Sequence, residues 1–357
     1  MLRRKPNPRT WFISEVPTPQ RTPTFHEISR QLPSAKFIFM RSQKGDQGWG
    51  QITPGHEATY WDKMNLWRRL RLLATLATRT QSEIAVSFGY RGAPRIATLV
   101  GSKCFRSPVV VRSDTNQSQI AKQPRIKRAL RRRLLRTLIP KSAVAWTIGT
   151  ENERFWRREV GLTRTVRIPY EVPMLPGMRQ PGSIEARVSN PRAMRLLAVG
   201  RLIELKRIDD TIAAFKLLSE TAYKDWSLTI VGDGPERAKL GQLACGDPRI
   251  CFTGATDYAT LGHHFESSDA LVIASSSEHW GLVVNEALGY GLYVLASDSV
   301  GAAVDLITPQ SGFIFRSGDR NSLADAMKRA GKFTERQPRP AAPKTSTLML
   351  EALNEIR

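Results

Sequence analysis

Short apolar runs rich in β-branched residues alternate with helical periodicity throughout the second half of the chain, from Met194 onward. This alternation is typical of strand–helix–strand units on a parallel sheet. The second half is therefore predicted to be a doubly wound α/β domain. The predicted strands are 194–200, 227–234, 249–254, 270–277, 292–299 and 312–318, and the predicted helices lie near 208–222, 235–244, 260–268, 282–290, 301–307 and 319–330.

The first half repeats this pattern less cleanly and predicts a second, looser domain of the same class. Its predicted strands are 10–15, 35–41, 84–90, 107–114 and 143–149, with helices near 23–32, 62–80, 93–102, 123–140 and 151–160.

Breaks in the pattern divide the chain into segments. We predict a first domain over 1–170, a Pro- and Gly-rich linker over 171–193 and a second domain over 194–334. The remaining segment, 335–357, ends in a helix that could cross back to the first domain. Two Rossmann-like domains joined in this way are expected to face a cleft, and ligands of open α/β sheets bind beyond the carboxyl ends of the strands.

Composition excludes several classes of protein. With 357 residues, 41% of them apolar, the chain can bury a substantial core. Its three cysteines lack the spacing of a disulfide framework or a zinc site, and no stretch approaches the ~20 apolar residues of a membrane-spanning helix. These features favour a cytoplasmic protein, either soluble or peripheral on the inner face of the cell membrane.

The net charge of +22 is concentrated in one half of the chain. Residues 1–170 contain 33 Lys and Arg against 10 Asp and Glu, whereas residues 171–357 contain 21 against 22. The first half is therefore expected to face something anionic. Nucleic acid, an anionic membrane and a phosphorylated substrate all fit.

Candidate chemistry lies first in the segment 270–297, a strand followed by a turn and a helix. Glu278 lies in the turn, Gly281 and Leu282 open the helix, and Glu286 lies one turn deeper. Free backbone N–H groups at a helix start favour a phosphate, and carboxylates accept hydrogen bonds from sugar or ribose hydroxyls. Either glutamate alone could equally be an ordinary solvated residue.

A second cluster follows the strand 194–200. Gly200 ends the strand, Arg201 comes next, and Lys206 precedes a helix. Two cations at the carboxyl end of a strand can stabilise charge developing on a diphosphate leaving group. Isolated basic residues in turns are usually solvated, so it is the combination of the two clusters that indicates a site.

Together these residues resemble the retaining glycosyltransferases of family 4, which have the two-domain GT-B fold. The resemblance covers 194–330 through VGRLIELKRIDDTIAAF, VGDGPE, CFTG, SSSEHWGLVVNEALGYG and SGFIF. It implies that Glu278 contacts the donor sugar, Glu286 the ribose, Gly281 and Leu282 the phosphates, and Arg201 and Lys206 the diphosphate. Ala255 and Thr256, after CFTG, would lie near the nucleotide base.

The first half departs from the family pattern. VPTPQRTP replaces a Gly-rich loop, and no His occurs between His56 and His263 to lie beside the reacting carbon. Arg112 and Asp114 follow a strand at about that place and are our candidates for the acceptor side. A surface arginine and a helix-capping aspartate explain them equally well. His279 is a further candidate, although a His beside a turn is more often structural.

The predicted function is transfer of a sugar from a nucleotide-diphosphate donor to a glycan or lipid-linked acceptor. The resemblance implies retention of configuration and a place in cell-surface polysaccharide biosynthesis. No D-x-D triplet is present, so neither a metal nor another cofactor is expected. The alternatives are a basic nucleic-acid-binding protein, an epimerase or a phosphorylase, but the basic stretch 124–141 lacks the aromatic residues that would stack on bases.

The same basic stretch, 124–141, also alternates cations with apolar residues, as in a helix that lies at a membrane interface. An anionic membrane surface is therefore the expected partner of the first half, and nucleic acid is not. The competing interpretation is that the apolar residues pack in the core and the arginines are merely solvated.

Overall fold

The computed structural model describes residues 9–18, 21–42, 56–171, 193–218, 221–332 and 344–356. The chain divides into two compact units. One comprises Met1–Pro173 together with Pro343–Arg357, and the other Met174–Ala342. Almost all of the predicted linker lies outside the described residues.

The first unit is built on a parallel sheet of seven strands in the order β3-β2-β1-β4-β5-β6-β7. The strands are β1 (Thr10–Ser14), β2 (Ala35–Phe39), β3 (Ala58–Tyr60), β4 (Ile84–Phe88), β5 (Val109–Arg112), β6 (Val144–Thr147) and β7 (Thr165–Arg167). The helices are α1 (Thr22–Gln31), α2 (Leu66–Ala77), α3 (Ala93–Phe105), α4 (Gln117–Ala121), α5 (Arg125–Leu138), α6 (Thr150–Phe155), which a π-helical turn Trp156–Val160 continues, and, from the end of the chain, α13 (Thr345–Ile356).

Helix α13 completes one face of the core of this first unit. Met349 and Leu353 are buried in the same cluster as Phe12, Phe37 and Trp146. The central strands β4, β5 and β6 are buried along their whole length, as expected for parallel strands that carry helices on both faces.

The second unit is a parallel sheet of six strands in the order β10-β9-β8-β11-β12-β13. The strands are β8 (Arg195–Val199), β9 (Ser227–Val231), β10 (Ile250–Gly254), β11 (Ala270–Ile273), β12 (Tyr293–Ser297) and β13 (Gly312–Phe315). The helices are α7 (Ile208–Lys216), α8 (Arg237–Ala244), α9 (Tyr258–Glu266), α10 (Leu282–Gly289), α11 (Ala303–Leu306) and α12 (Arg320–Ala330).

Both sheets confirm the predicted doubly wound α/β class. In each sheet the chain order reverses once between neighbouring strands, between β1 and β4 in the first unit and between β8 and β11 in the second. Ligands of such sheets bind outside the carboxyl ends of the strands at this switch point. The segments that follow these four strands are therefore the first places to look for sites.

Two strands and one α-helix were not predicted from the sequence. β3, β7 and α4 are only three to five residues long, and so short an element shows no usable hydrophobic period. Among the described helices, none is both long and apolar enough to cross a bilayer.

Candidate active site

The loop after β8 carries the first cluster and is held by a close backbone contact. A Cβ atom on Gly232, which follows β9, would lie 1.9 Å from the carbonyl oxygen of Gly200. Gly232 also has a φ of 139°, which favours glycine. Because no side chain fits there, the two loops pack backbone against backbone, and this contact fixes the start of the segment leading to Lys206.

The turn after β11 is held by the loop after β12. The Glu278 N–H donates to the carbonyl of Ser299 at 3.1 Å, and the Gly301 N–H donates to the carbonyl of Glu278, also at 3.1 Å. Gly281, with φ of 96°, is the N-cap of α10, and a Cβ there would lie 3.1 Å from Val300 and 3.3 Å from the Glu278 side chain. The glycine therefore allows α10 to begin directly behind the Glu278 side chain.

The two clusters meet across the switch point between β8 and β11. The Lys206 ammonium donates to the Glu278 carboxylate, and both side chains are about three-quarters buried. The Ser276 N–H donates to the carbonyl of Leu205 at 2.9 Å, so the two loops are also joined through their backbones. These contacts bring together an anion and a cation that are 72 residues apart in the sequence.

Helix α10 presents its amino end to this place. No side chain caps it, because the N-cap residue is Gly281. Its first backbone N–H groups thus make a site that favours negative charge. Trp280 lies buried beside the turn, and its indole N–H donates to Asn285 at 2.8 Å, which ties the turn to the first part of the helix.

Glu286 lies one turn into α10 and is only 5% exposed. The pKa of the neighbouring Tyr290 is raised to about 12, mainly because its phenol is buried. The negative charges of Glu266 and Glu286 raise it further. The ring of Tyr290 stacks on Phe265, with centroids 5.1 Å apart. This packing holds the C-terminal end of α10 against α9.

The remaining candidates of the second unit lie at the same edge of the sheet. Arg201 and His279 are both exposed. Ala255 and Thr256 directly follow β10, two strands away from β8. The strand order thus brings three groups of candidates, after β8, β10 and β11, to the carboxyl edge of one sheet, and sequence spacing alone does not show this.

The structure does not support the alternative that Arg112 is a surface residue and Asp114 a helix cap. Arg112 is buried rather than on the surface, and its guanidinium donates to the carbonyl of Ile168 at 2.6 Å. Asp114 is exposed, but it caps no helix, because the N-cap of α4 is Asn116, whose side chain accepts from the Gln119 N–H. Both residues lie at the carboxyl end of β5.

Two residues that contribute to the site were not predicted from the sequence, Ser276 and Asn285. Ser276 donates its N–H and its hydroxyl to the carbonyl of Leu205, and Asn285 accepts one hydrogen bond from Trp280. Sequence spacing carries no signal for such bonds. Within the described part of the chain, no group of three or more His, Cys, Asp or Glu side chains is placed to hold a metal ion.

Comparison with known protein families identifies the family of the second unit. Residues 183–341 match the family described as glycosyl transferases group 1. The second unit is a group 1 glycosyltransferase domain. The glycosyltransferase domain thus contains every candidate except Arg112 and Asp114.

Two relatives show how far the sequence similarity extends. A GDP-mannose-dependent alpha-(1-6)-phosphatidylinositol dimannoside mannosyltransferase of Mycobacterium tuberculosis is 31% identical over 180 residues, 50% of this chain and 46% of that protein. The sulfoquinovosyl transferase SQD2 of Arabidopsis thaliana is 33% identical over 139 residues, 37% of this chain and 26% of that protein. The matched stretch thus spans about half or less of each relative.

Solved structures extend the likeness in fold beyond the glycosyltransferase domain. Anabaena HepE, in complex with UDP and glucose, has a TM-score of 0.64 at 15% identity, covering 98% of this chain and 94% of its own. The lipopolysaccharide outer core galactosyltransferase WaaB has a TM-score of 0.62 at 15% identity, covering 90% and 89%. The predicted GT-B fold, with two Rossmann-like α/β units, is thereby confirmed.

Proposed function

We propose that the chain is a glycosyltransferase that takes its sugar from a nucleotide-diphosphate donor held at the carboxyl edge of the second sheet. The observation that carries this proposal is the Lys206–Glu278 pair at the β8–β11 switch point, beside the uncapped amino end of α10. A cation and free backbone N–H groups can bind a diphosphate, and a carboxylate can bind the hydroxyls of a sugar. All three lie close together within one group 1 domain.

Each group has a role in the proposed reaction. The bond between the sugar and the diphosphate breaks, and negative charge develops on the leaving phosphate. Arg201, Lys206 and the first N–H groups of α10 stabilise that charge, which is why no metal is needed in this proposal. Glu278, held in place by Lys206, binds the sugar, and Glu286 accepts hydrogen bonds from the ribose.

The sugar itself passes through a transition state with oxocarbenium character, as in other glycosyl transfers. We propose that the acceptor attacks from the face that the diphosphate leaves, so that the configuration is retained, as in family 4. Lys206 is already paired in the structure, so little reorganisation is required when the donor binds, and preorganised charge is what makes electrostatic catalysis effective.

For the acceptor we propose a glycan or a lipid-linked glycan precursor. One relative is named for a phosphatidylinositol dimannoside and another for lipopolysaccharide core biosynthesis. A cytoplasmic protein at the inner face of the membrane, acting in cell-surface polysaccharide or glycolipid biosynthesis, fits such acceptors. No nucleic acid takes part in this proposal.

The donor site is tested by measuring nucleotide diphosphate released from a panel of nucleotide sugars. We expect one donor to be hydrolysed slowly without acceptor. Arg201→Ala and Glu286→Ala should each weaken use of that donor by about 1–3 kcal/mol, the cost of losing a charged hydrogen bond or leaving a polar partner unpaired. Arg329→Ala, an exposed change at the far end of α12, is the matched control. Donor kinetics that stay at the wild-type level in both site variants refute this assignment.

We further propose that the basic first unit docks on an anionic membrane through α5 and its neighbour α3. Ile126, Leu130 and Leu134 recur every four residues on α5 and are 77%, 66% and 64% exposed. Leu135 is instead buried in the core of the first unit, and Leu138 packs against the same cluster. The apolar residues of this stretch therefore divide between a side that packs in the core and an exposed stripe, and we assign the exposed stripe to the membrane surface.

Exposed apolar residues also lie on the neighbouring helix α3. The Lys103 ammonium on α3 donates to the carbonyl of Thr137 on α5 at 2.9 Å, so the two helices are adjacent at their C-terminal ends. Ile96 and Val100, two turns and one turn before Lys103 on the same side of α3, are 43% and 44% exposed. Exposed apolar side chains beside numerous arginines are the composition of an interfacial surface, where each basic residue contributes about 1 kcal/mol.

A further inference from the structure

A cluster of arginines lies at the switch point of the first sheet, where β1 and β4 run side by side. Arg21 is the N-cap residue of α1, and its side chain extends back to this edge of the sheet. Its guanidinium donates to Ser14, the last residue of β1, at 3.3 Å. It also lies 5.4 Å from the ring centre of Phe88, the last residue of β4. Arg95, on the first turn of α3, is 4% exposed and donates to Glu15 at 2.9 Å.

Arg112 joins the same cluster through Tyr170. Its guanidinium lies 5.2 Å from the ring centre of Tyr170, and Arg21 donates to the hydroxyl of that tyrosine at 3.4 Å. Burial lowers the pKa of Arg112 to about 10, and the charge of Arg21 lowers the pKa of both Arg112 and Arg95. The guanidinium of Arg21 is therefore close enough to repel those of both Arg95 and Arg112.

The charges in this cluster are not balanced. Glu15 is shared between Arg95 and Arg41, the latter at 3.7 Å, and Asp114 is exposed. Four guanidinium groups thus face two carboxylates among the described residues. The Nε and Nη2 atoms of Arg95 are buried without any hydrogen-bond partner. Burying charged donors without partners costs free energy, so an unbalanced cluster of this kind indicates a place kept for an anion.

We propose that the carboxyl edge of β1 and β4 is a binding site for a phosphate or diphosphate group of the acceptor, with Arg21 as the direct ligand. Arg21 is the half-buried member, and its two hydrogen bonds, at 3.3 and 3.4 Å, are long, so both are readily exchanged for a charged phosphate oxygen. Arg95 and Arg112 supply positive potential behind it. This inference rests on the proposed function, because it specifies which acceptors the enzyme takes.

The excess of arginines over carboxylates in this cluster also favours a phosphate over a neutral glycan. A neutral hydroxyl would leave the excess positive charge uncompensated, whereas a phosphate carries up to two negative charges and accepts hydrogen bonds from planar guanidinium forks. A lipid-linked acceptor and a free phosphorylated sugar share this chemistry, and the experiment separates the phosphate site from the membrane surface.

Binding of inorganic pyrophosphate to the full chain, measured by calorimetry, tests the proposal. The donor site also takes a diphosphate, so the starting protein is the double variant Arg201→Ala and Lys206→Ala. We expect it to retain one pyrophosphate site. Adding Arg21→Gln should weaken that site about tenfold or more, the loss of one charged hydrogen-bonding group. Arg21→Lys should restore part of the affinity, because it keeps the charge without the fork.

Arg30→Gln is the matched control, an exposed arginine on the same helix that pairs only with Glu27 among the described residues. It should leave pyrophosphate binding unchanged. The proposal is overturned if the double variant binds no pyrophosphate, if Arg21→Gln has no effect, or if Arg30→Gln weakens binding as much. Glucuronate in place of pyrophosphate should bind far more weakly; equal binding also overturns the phosphate assignment. Failure of the donor site instead appears as unchanged donor use in Arg201→Ala, an independent readout.

For the lipid arm, vesicles of neutral lipid that contain a small fraction of a polyprenyl diphosphate are compared with the same vesicles without it. Binding that depends on the diphosphate lipid and falls in Arg21→Gln supports a lipid-borne phosphate. Retention of pyrophosphate binding with no dependence on that lipid supports a soluble phosphorylated acceptor. Loss of Arg21 dependence in both arms overturns the site.

Discussion

Replacing Ile126, Leu130 and Leu134 together with glutamine removes the exposed apolar stripe of α5 and leaves every arginine of that helix in place. Fully burying one aliphatic side chain is worth about 1.5–3 kcal/mol. The three side chains are 77%, 66% and 64% exposed, so insertion into a bilayer would gain about 1–2 kcal/mol each and about 3–6 kcal/mol together. Since 1.4 kcal/mol is a factor of ten, the triple variant should lose at least about a hundredfold in partitioning to anionic vesicles.

Sedimentation with anionic and neutral liposomes at two salt concentrations measures this partitioning. Wild-type protein should prefer anionic liposomes, and its binding should fall steeply with salt, because the charges are screened within a Debye length. Thermal unfolding of the triple variant should stay near that of the wild type, since exposed substitutions usually change stability by less than about 0.5 kcal/mol.

The neutral second unit supplies the matched control for this experiment. Leu217, Val304 and Ile314 are 51%, 54% and 45% exposed there, and the triple change to glutamine should not alter liposome binding. Our reasoning is refuted if the α5 variant sediments as the wild type does, if the control variant loses as much binding, or if the wild type binds neither liposome.

Two further predictions concern metal and pH. Activity with the identified donor should survive EDTA, because the proposed leaving-group stabilisation uses Arg201 and Lys206; complete loss that Mn²⁺ restores would contradict the metal-free mechanism. His56 packs among Phe25, Phe37 and Phe39, and burial, with a smaller contribution from His26, lowers its pKa to about 4. Near pH 6.5 the unfolded chain therefore binds a proton at His56 that the folded chain does not bind. The free energy of unfolding should consequently fall by about 1–2 kcal/mol as the pH drops from 6.5 to 4. This is less than the full shift would give, because the ring is only partly shielded from water. Urea titrations at pH 7 and 4.5 should show a smaller acid effect in His56→Phe, and an equal acid effect in both proteins would mean that His56 is not the titrating group.

Local sequence pattern was sufficient to predict most of the elements. The strands Ala270–Ile273 and Tyr293–Ser297 are buried, mainly apolar runs that lie within the predicted ranges 270–277 and 292–299, so both their type and their position are visible locally. The order of the strands is not visible in this way, because nothing in the sequence of β8 states that β11 is its neighbour. The switch point, and with it the location of the site, requires the three-dimensional fold.

The candidate site shows the same division. The amino end of α10 was predicted because Gly281 stands before an apolar helical repeat. The pairing of Lys206 with Glu278 was not predicted, since it depends on the backbone contact between Leu205 and Ser276. The side of α5 that faces the core could not be chosen either, because two apolar stripes satisfy the same helical period and only packing selects Leu135 over Leu130.

The place of α13 in the fold has a consequence for biosynthesis. Met349 and Leu353 belong to the core of the first unit, although they are encoded at the far end of the chain. The second unit, Met174–Ala342, is continuous in sequence, so during synthesis it can fold as soon as it leaves the ribosome. The first unit emerges earlier, but its core is complete only after α13 has been synthesised. Until then part of its aromatic core is exposed, and we expect chaperones to bind the chain at this stage.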